Sequence, residues 1–148
     1  MSTHTAISYH IVFSTKDRTP ALAQGRREDL FRYIWGIIKN RRGHMYCING
    51  VEDHLHILTS LHPTVCLADF VKEIKTGLAH WIKENSIFRR FSNWQEGYGA
   101  FTCSRNEIAG LIESIKGQEQ QHLKGKFEEE YRKLLTEAGL EFDERYLL

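Results

Sequence analysis

Residues 52–58 read Glu52-Asp53-His54-Leu55-His56-Ile57-Leu58 and set two imidazoles two positions apart inside a run of β-forming residues. Side chains on a pleated strand alternate between faces, so His54 and His56 point to one side at a separation that a single metal ion can bridge. Leu55 and Ile57 then point to the other side, where a hydrophobic core belongs. The plain alternative is a pair of strand histidines with no ligand. A metal site needs a third donor. A helical segment further along offers Gln118, with Ser114 four residues before it and His122 four after it on the same stripe. Two imidazoles and a carboxamide oxygen, with positions left for water or a phosphate oxygen, suit Mn²⁺ or Mg²⁺ better than a closed structural zinc site. Such an ion polarises a scissile phosphate instead of bracing the fold.

Holding these groups requires a sheet and helices, and the periodicity supplies both. Residues 44–49 alternate, Asn49-Gly50 is the dipeptide favoured in tight hairpin turns, and 52–61 follows, which predicts an antiparallel hairpin carrying the histidines. Residues 6–15 alternate as a first strand, with Ile7, Tyr9, Ile11 and Phe13 on one face and His10 and Val12 on the other. His10 there either borders the site or is a sheet histidine satisfied by its neighbours. Lys16-Asp17-Arg18-Thr19-Pro20 turns the chain. A helix over 22–42 buries Leu30, Phe31, Ile34, Ile37 and Ile38, and Gly43 stops it. A second over 65–84 buries Leu67, Phe70, Val71, Ile74, Leu78 and Trp81. After an arginine- and aromatic-rich loop at 87–95 come a fourth strand at 98–103 and a third helix over 105–122, capped by Ser104. A short amphipathic helix at 127–138 closes the series. The order predicts an α+β fold: a ferredoxin-like (split βαβ) sandwich with one mostly antiparallel sheet backed by helices.

At 148 residues the chain fits a single domain, 1–148, of ordinary globular composition, with 126–148 as an acidic C-terminal helix and tail. No apolar run approaches the ~20 residues of a membrane span, and the N-terminus lacks a basic region followed by an apolar signal core, so a cytoplasmic protein is expected. Cys47, Cys66 and Cys103 are odd in number and far apart, which argues against a disulfide framework or a zinc knuckle. The net charge of +1 conceals an asymmetry. Residues 1–126 hold 17 Lys/Arg against 12 Asp/Glu, a balance of +5, while 127–148 hold three against seven, a balance of −4.

Several stretches together resemble the single-tyrosine HUH transposases of the insertion-sequence-200-like type, named for a His-hydrophobic-His pair, over nearly the whole chain. They are Tyr9-His10-Ile11-Val12-Phe13-Ser14-Thr15-Lys16, Gly50-Val51-Glu52-Asp53-His54-Leu55-His56-Ile57-Leu58, Trp94-Gln95-Glu96-Gly97-Tyr98-Gly99-Ala100-Phe101 and Phe142-Asp143-Glu144-Arg145-Tyr146. The resemblance implies a homodimer that cuts and rejoins single-stranded DNA at hairpins. In that family a helical tyrosine attacks the phosphate, becomes a 5′-phosphotyrosine and commonly acts in the partner subunit's site. It also implies His54, His56 and Gln118 as metal ligands. Where the family pattern reads Tyr-Ile-x-x-Gln, this chain reads Ser114-Ile115-Lys116-Gly117-Gln118. Serine lacks the phenyl ring's reach and its hydroxyl is less acidic, so cleavage by this chain is expected to be impaired. Tyr98, Tyr131 and Tyr146 are the candidate substitutes. Candidate DNA contacts are Lys16, Arg18, Lys72, Lys75, Arg89, Arg90 and Trp94. The loop bearing the last three reads equally as a clamp on unpaired bases and as a hydrophobic lid with solvated arginines. Two rivals stand beside this reading. One is a hairpin-binding transposase relative without catalysis. The other, a histidine-triad nucleotide hydrolase, is weakened by Leu58 at the third alternating position.

Overall fold

The structure, a computed structural model, describes residues 3–117 and 127–142. The elements run β1 (Ser8–Ser14), α1 (Arg27–Asn40), β2 (Met45–Gly50), β3 (His54–Ser60), α2 (Leu67–Glu84), β4 (Gly99–Cys103), α3 (Arg105–Lys116) and α4 (Phe127–Glu137). The strands form one antiparallel sheet in the order β2-β3-β1-β4. Two β-α-β units interleave so that β1 and β3 are central, as expected of a split βαβ sandwich. Among the described residues, no helix is long and apolar enough to cross a membrane.

Alternation decides what each face of the sheet meets. Ile11 and Phe13 of β1 and Leu55 and Ile57 of β3 point to one side and are fully buried. Above them lie Leu30, Ile34 and Ile38 of α1, one turn apart, and Phe70, Val71, Ile74, Leu78 and Ile82 of α2. Each such aliphatic or aromatic side chain contributes about 1.5–3 kcal/mol by leaving water. Trp81, expected inside, is half-buried and stacks on Tyr33 of α1 with ring centroids 5.0 Å apart.

The hairpin departs from expectation in its turn. Asn49 and Gly50 belong to β2, and the reversal falls at Val51-Glu52-Asp53-His54, where the Val51 N–H donates to the His54 carbonyl at 3.1 Å. Close approach, not turn geometry, demands glycine at 50, since a Cβ there would lie 2.4 Å from Leu55 Cδ2 and 2.8 Å from the His54 carbonyl oxygen. The displaced turn leaves Asp53 immediately before the first histidine, anchored through its carbonyl to the Thr15 N–H at 2.9 Å.

Candidate metal centre

His54 and His56 occupy the sheet face opposite the main core, but that face is covered. Ile115 of α3 packs on Cys47 and Leu58, and Tyr131 and Leu135 of α4 pack on Val12. These two helices exclude water from the histidines, leaving His54 0% and His56 7% exposed. A site open on one side was the expectation from the strand alone. Apolar residues on α3 and α4 close it.

Three groups grip the pair. The Asp53 carboxylate accepts from His54 Nδ1 at 2.7 Å, and His10 Nε2 lies 2.8 Å from His56 Nδ1. Both remaining ring nitrogens face Glu130 of α4, whose Oε2 is 3.4 Å from His54 Nε2 and 3.9 Å from His56 Nε2. Burial opposes charge on His54, but the Asp53 and Glu130 carboxylates outweigh it and raise the pKa above the ordinary imidazole value. On His56 burial prevails over Glu130, and the neighbouring charge of His54 lowers the pKa further. Burial likewise works against the Glu130 carboxylate, yet the two imidazoles it faces favour its charge and hold the pKa at about 2. Burial first and His56 second push His10 down to about 3, so it is neutral.

The donor set suits a divalent cation. One ligand atom from each of His54, His56 and Glu130 can be chosen so that all lie within 4.8 Å of one another. His56 Nε2 and Glu130 Oε1 are buried without a hydrogen-bond partner, as is Ser14 Oγ on the residue opposite His54 in the β1–β3 register. Leaving such atoms unpaired costs roughly 1–3 kcal/mol each, a penalty that coordination would remove at His56 and Glu130. Two imidazoles and a carboxylate match the preferences of Mn²⁺, and the carboxylate extends them to Mg²⁺.

Of the residues expected at the site, His54 and His56 are brought together, while Gln118 and His122 lie outside the described residues. Ser114 is on an exposed part of α3, whose sheet-facing stripe is Ile108, Leu111, Ile112 and Ile115. The helix enters through Ser104, whose N–H donates to the Glu107 carboxylate at 2.9 Å. Its last turn is tied beside the site, because Asn49, the cross-strand partner of His56, donates to the Ile115 carbonyl at 2.9 Å.

The candidate DNA contacts divide. Lys16, Lys72, Arg89 and Arg90 are exposed. Arg18 pairs with Glu128 at 2.5 Å. Lys75 braces the 95–97 segment by donating to the Gln95 and Gly97 carbonyls at 2.7 and 2.9 Å. Lys72 and Lys75 also line an open cleft of about 550 Å³ between α2 and the 93–98 segment. Trp94, open between base stacking and a hydrophobic lid, is 5% exposed and meets Phe13 and Phe91 edge-on at 5.0 and 4.9 Å. With Phe88 and Phe91 also buried, the aromatics of this loop form a hydrophobic lid, and its arginines reach solvent. Tyr131 is equally committed, packed over Gly99 and Val12.

Glu130 escaped the sequence reading because Glu128-Glu129-Glu130 reads as the solvated first turn of a helix, with nothing local to single out the third carboxylate. Asp53 carried a signal, since a carboxylate beside a ligand histidine commonly orients it.

Residues 3–118 match the protein family described as "Transposase IS200 like". No curated sequence shows significant similarity to the chain. Among solved structures, a presumed transposase of Deinococcus radiodurans R1 is 20% identical, with a TM-score of 0.61 over 80% of this chain and 95% of that one. A REP-associated tyrosine transposase, solved bound to a REP hairpin, is 14% identical, with a TM-score of 0.62 over 82% of this chain and 74% of that one. At these identities the likeness is one of fold.

Proposed function

The chain belongs to the family of insertion-sequence-200-like transposases, and from that membership and its buried His54–His56–Glu130 cluster we propose that it binds hairpin-bearing single-stranded DNA and prepares a phosphodiester for metal-dependent cleavage and rejoining. The observation that carries this reading is that His54, His56 and Glu130 each bring a ligand atom within 4.8 Å of the others, with His56 Nε2 and Glu130 Oε1 buried without a hydrogen-bond partner. A Mg²⁺ or Mn²⁺ ion, if held there, would supply Lewis acidity to a phosphate oxygen. His54, His56 and Glu130 would hold it, Gln118 would be the further ligand that the family pattern supplies, and Asp53 fixes the His54 ring by its remote nitrogen.

The chain carries Ser114 where the family pattern has its tyrosine. A serine hydroxyl needs a neighbouring base to act as nucleophile and lacks the reach of a phenol. We therefore read this chain as retaining DNA recognition while impaired in the covalent step. The hairpin-bound fold relative supports hairpin DNA as the substrate class. The exposed Lys16, Lys72, Arg89 and Arg90 supply the positive surface. A purely DNA-binding role is the second reading, favoured by the exposed serine.

Binding and nicking of one single-stranded hairpin, measured in parallel with Mn²⁺, separate the two. Ser114→Tyr is expected to raise nicking strongly and leave a covalent 5′-phosphotyrosyl adduct. Adding His54→Ala should abolish the adduct while binding persists. If Ser114→Tyr forms no adduct although it binds hairpin and metal, the catalytic reading fails and the binding role stands. An adduct formed at full speed by the unaltered chain would contradict impairment.

A further inference from the structure

We propose that His10 is a positioning residue for this centre: its imidazole holds the His56 ring by Nδ1, so that His56 presents the lone pair of Nε2 to a divalent cation. The proposal rests on the metal-site reading above. His10 lies on β1 opposite Leu58, two residues along from Val12, which faces His56. Alternate residues share a face, and diagonal neighbours on adjacent strands are within reach of long side chains. The rings meet edge to edge, with Nε2 and Nδ1 2.8 Å apart, centroids 5.0 Å apart and planes 29° from parallel.

A hydrogen bond between two neutral imidazoles has one donor and one acceptor, which leaves two arrangements. If His10 Nε2–H donates, the His56 proton sits on Nε2 and no lone pair is left for a metal. If His56 Nδ1–H donates to His10 Nε2, the Nε2 lone pair of His56 is free on the side facing Glu130. Only the second arrangement makes a ligand. His54 shows the same design with a different partner, gripped at Nδ1 by the Asp53 carboxylate and turned by Nε2 toward the same Glu130. Each histidine is therefore held at the nitrogen remote from the site, one by an anion and one by a neutral ring. His10 is buried beside the cluster without belonging to the ligand set. A sheet position that needed only volume would be filled at lower cost by an apolar residue.

Three measurements test this. Calorimetric titration with Mn²⁺ should show a 10–100-fold loss of affinity in His10→Phe, the range found for such outer partners. His10→Gln, whose carboxamide oxygen can accept from His56 Nδ1–H, should stay within a few-fold of the unaltered protein. Long-range ¹H–¹⁵N spectra of the unaltered protein without metal should already show the His56 proton on Nδ1, a readout that a packing role would not set and that needs no variant to fold. Unchanged Mn²⁺ affinity in folded His10→Phe, or a His56 proton on Nε2 in the metal-free protein, overturns the role of His10. If the unaltered protein and His54→Ala bind Mn²⁺ equally, or neither binds, the metal site itself is wrong and the proposal falls with it.

Discussion

His54 sits fully buried between two carboxylates, and His56 beside it turns an unpaired nitrogen to one of them. Groups with this much polarity out of water need a reason, and coordination provides it for the atoms left unpaired. At this scale the sequence showed the part of the site set by two-residue spacing. It did not show Glu130, whose place beside the histidines is fixed by long-range packing. It also left Trp94 undecided between base stacking and core, because an aromatic flanked by arginines has the same local pattern in both roles. The contacts with Phe13 and Phe91 decide for the core. Trp94→Ala is therefore expected to cost about 3–5 kcal/mol in urea denaturation. If instead the variant keeps its stability and loses affinity for single-stranded DNA, the ring serves the nucleic acid.

Strands and helices were legible because β1 and β3 alternate in residue type and α1 and α2 carry an apolar stripe of period 3.6, although both faces of the two central strands are buried. The turn was misplaced by three residues, from Asn49-Gly50 to Glu52-Asp53, because Asn-Gly carries the same signal whether glycine supplies a turn or close approach. The covering of the histidine face by α4 had no local signature. Its seat depends on Gly99, where a Cβ would lie 2.6 Å from Tyr131 Cε1 and 2.8 Å from its hydroxyl oxygen. Gly99→Ala is thus expected to lift α4, and because Glu130 precedes Tyr131 on that helix, Mn²⁺ affinity should fall while the sheet persists by circular dichroism. Unchanged affinity would mean that α4 does not deliver the carboxylate.

Across the whole molecule the body is basic and the 127–148 segment acidic, and that segment's described helix lies over the histidines, with Glu128 paired to Arg18. Exposed lysines and arginines elsewhere give hairpin binding that weakens with salt. Arg89→Ala with Arg90→Ala should lower affinity and flatten the log–log salt slope by up to roughly 1.4, about 0.7 for each single-strand phosphate contact removed. An unchanged slope would put the DNA elsewhere. Light scattering near micromolar concentration is expected to give about twice the chain mass of 17.3 kDa, because β2 and β4 are sheet edges that pairing between subunits would cover. A clean monomer would contradict that assembly. The proposed chemistry depends on one centre, and anomalous diffraction from crystals of the unaltered protein saturated with Mn²⁺ tests it most directly. The expected result is a single strong peak in coordination range of His54 Nε2, His56 Nε2 and a Glu130 carboxylate oxygen. No peak there at saturating metal, with the three side chains turned apart, would contradict it.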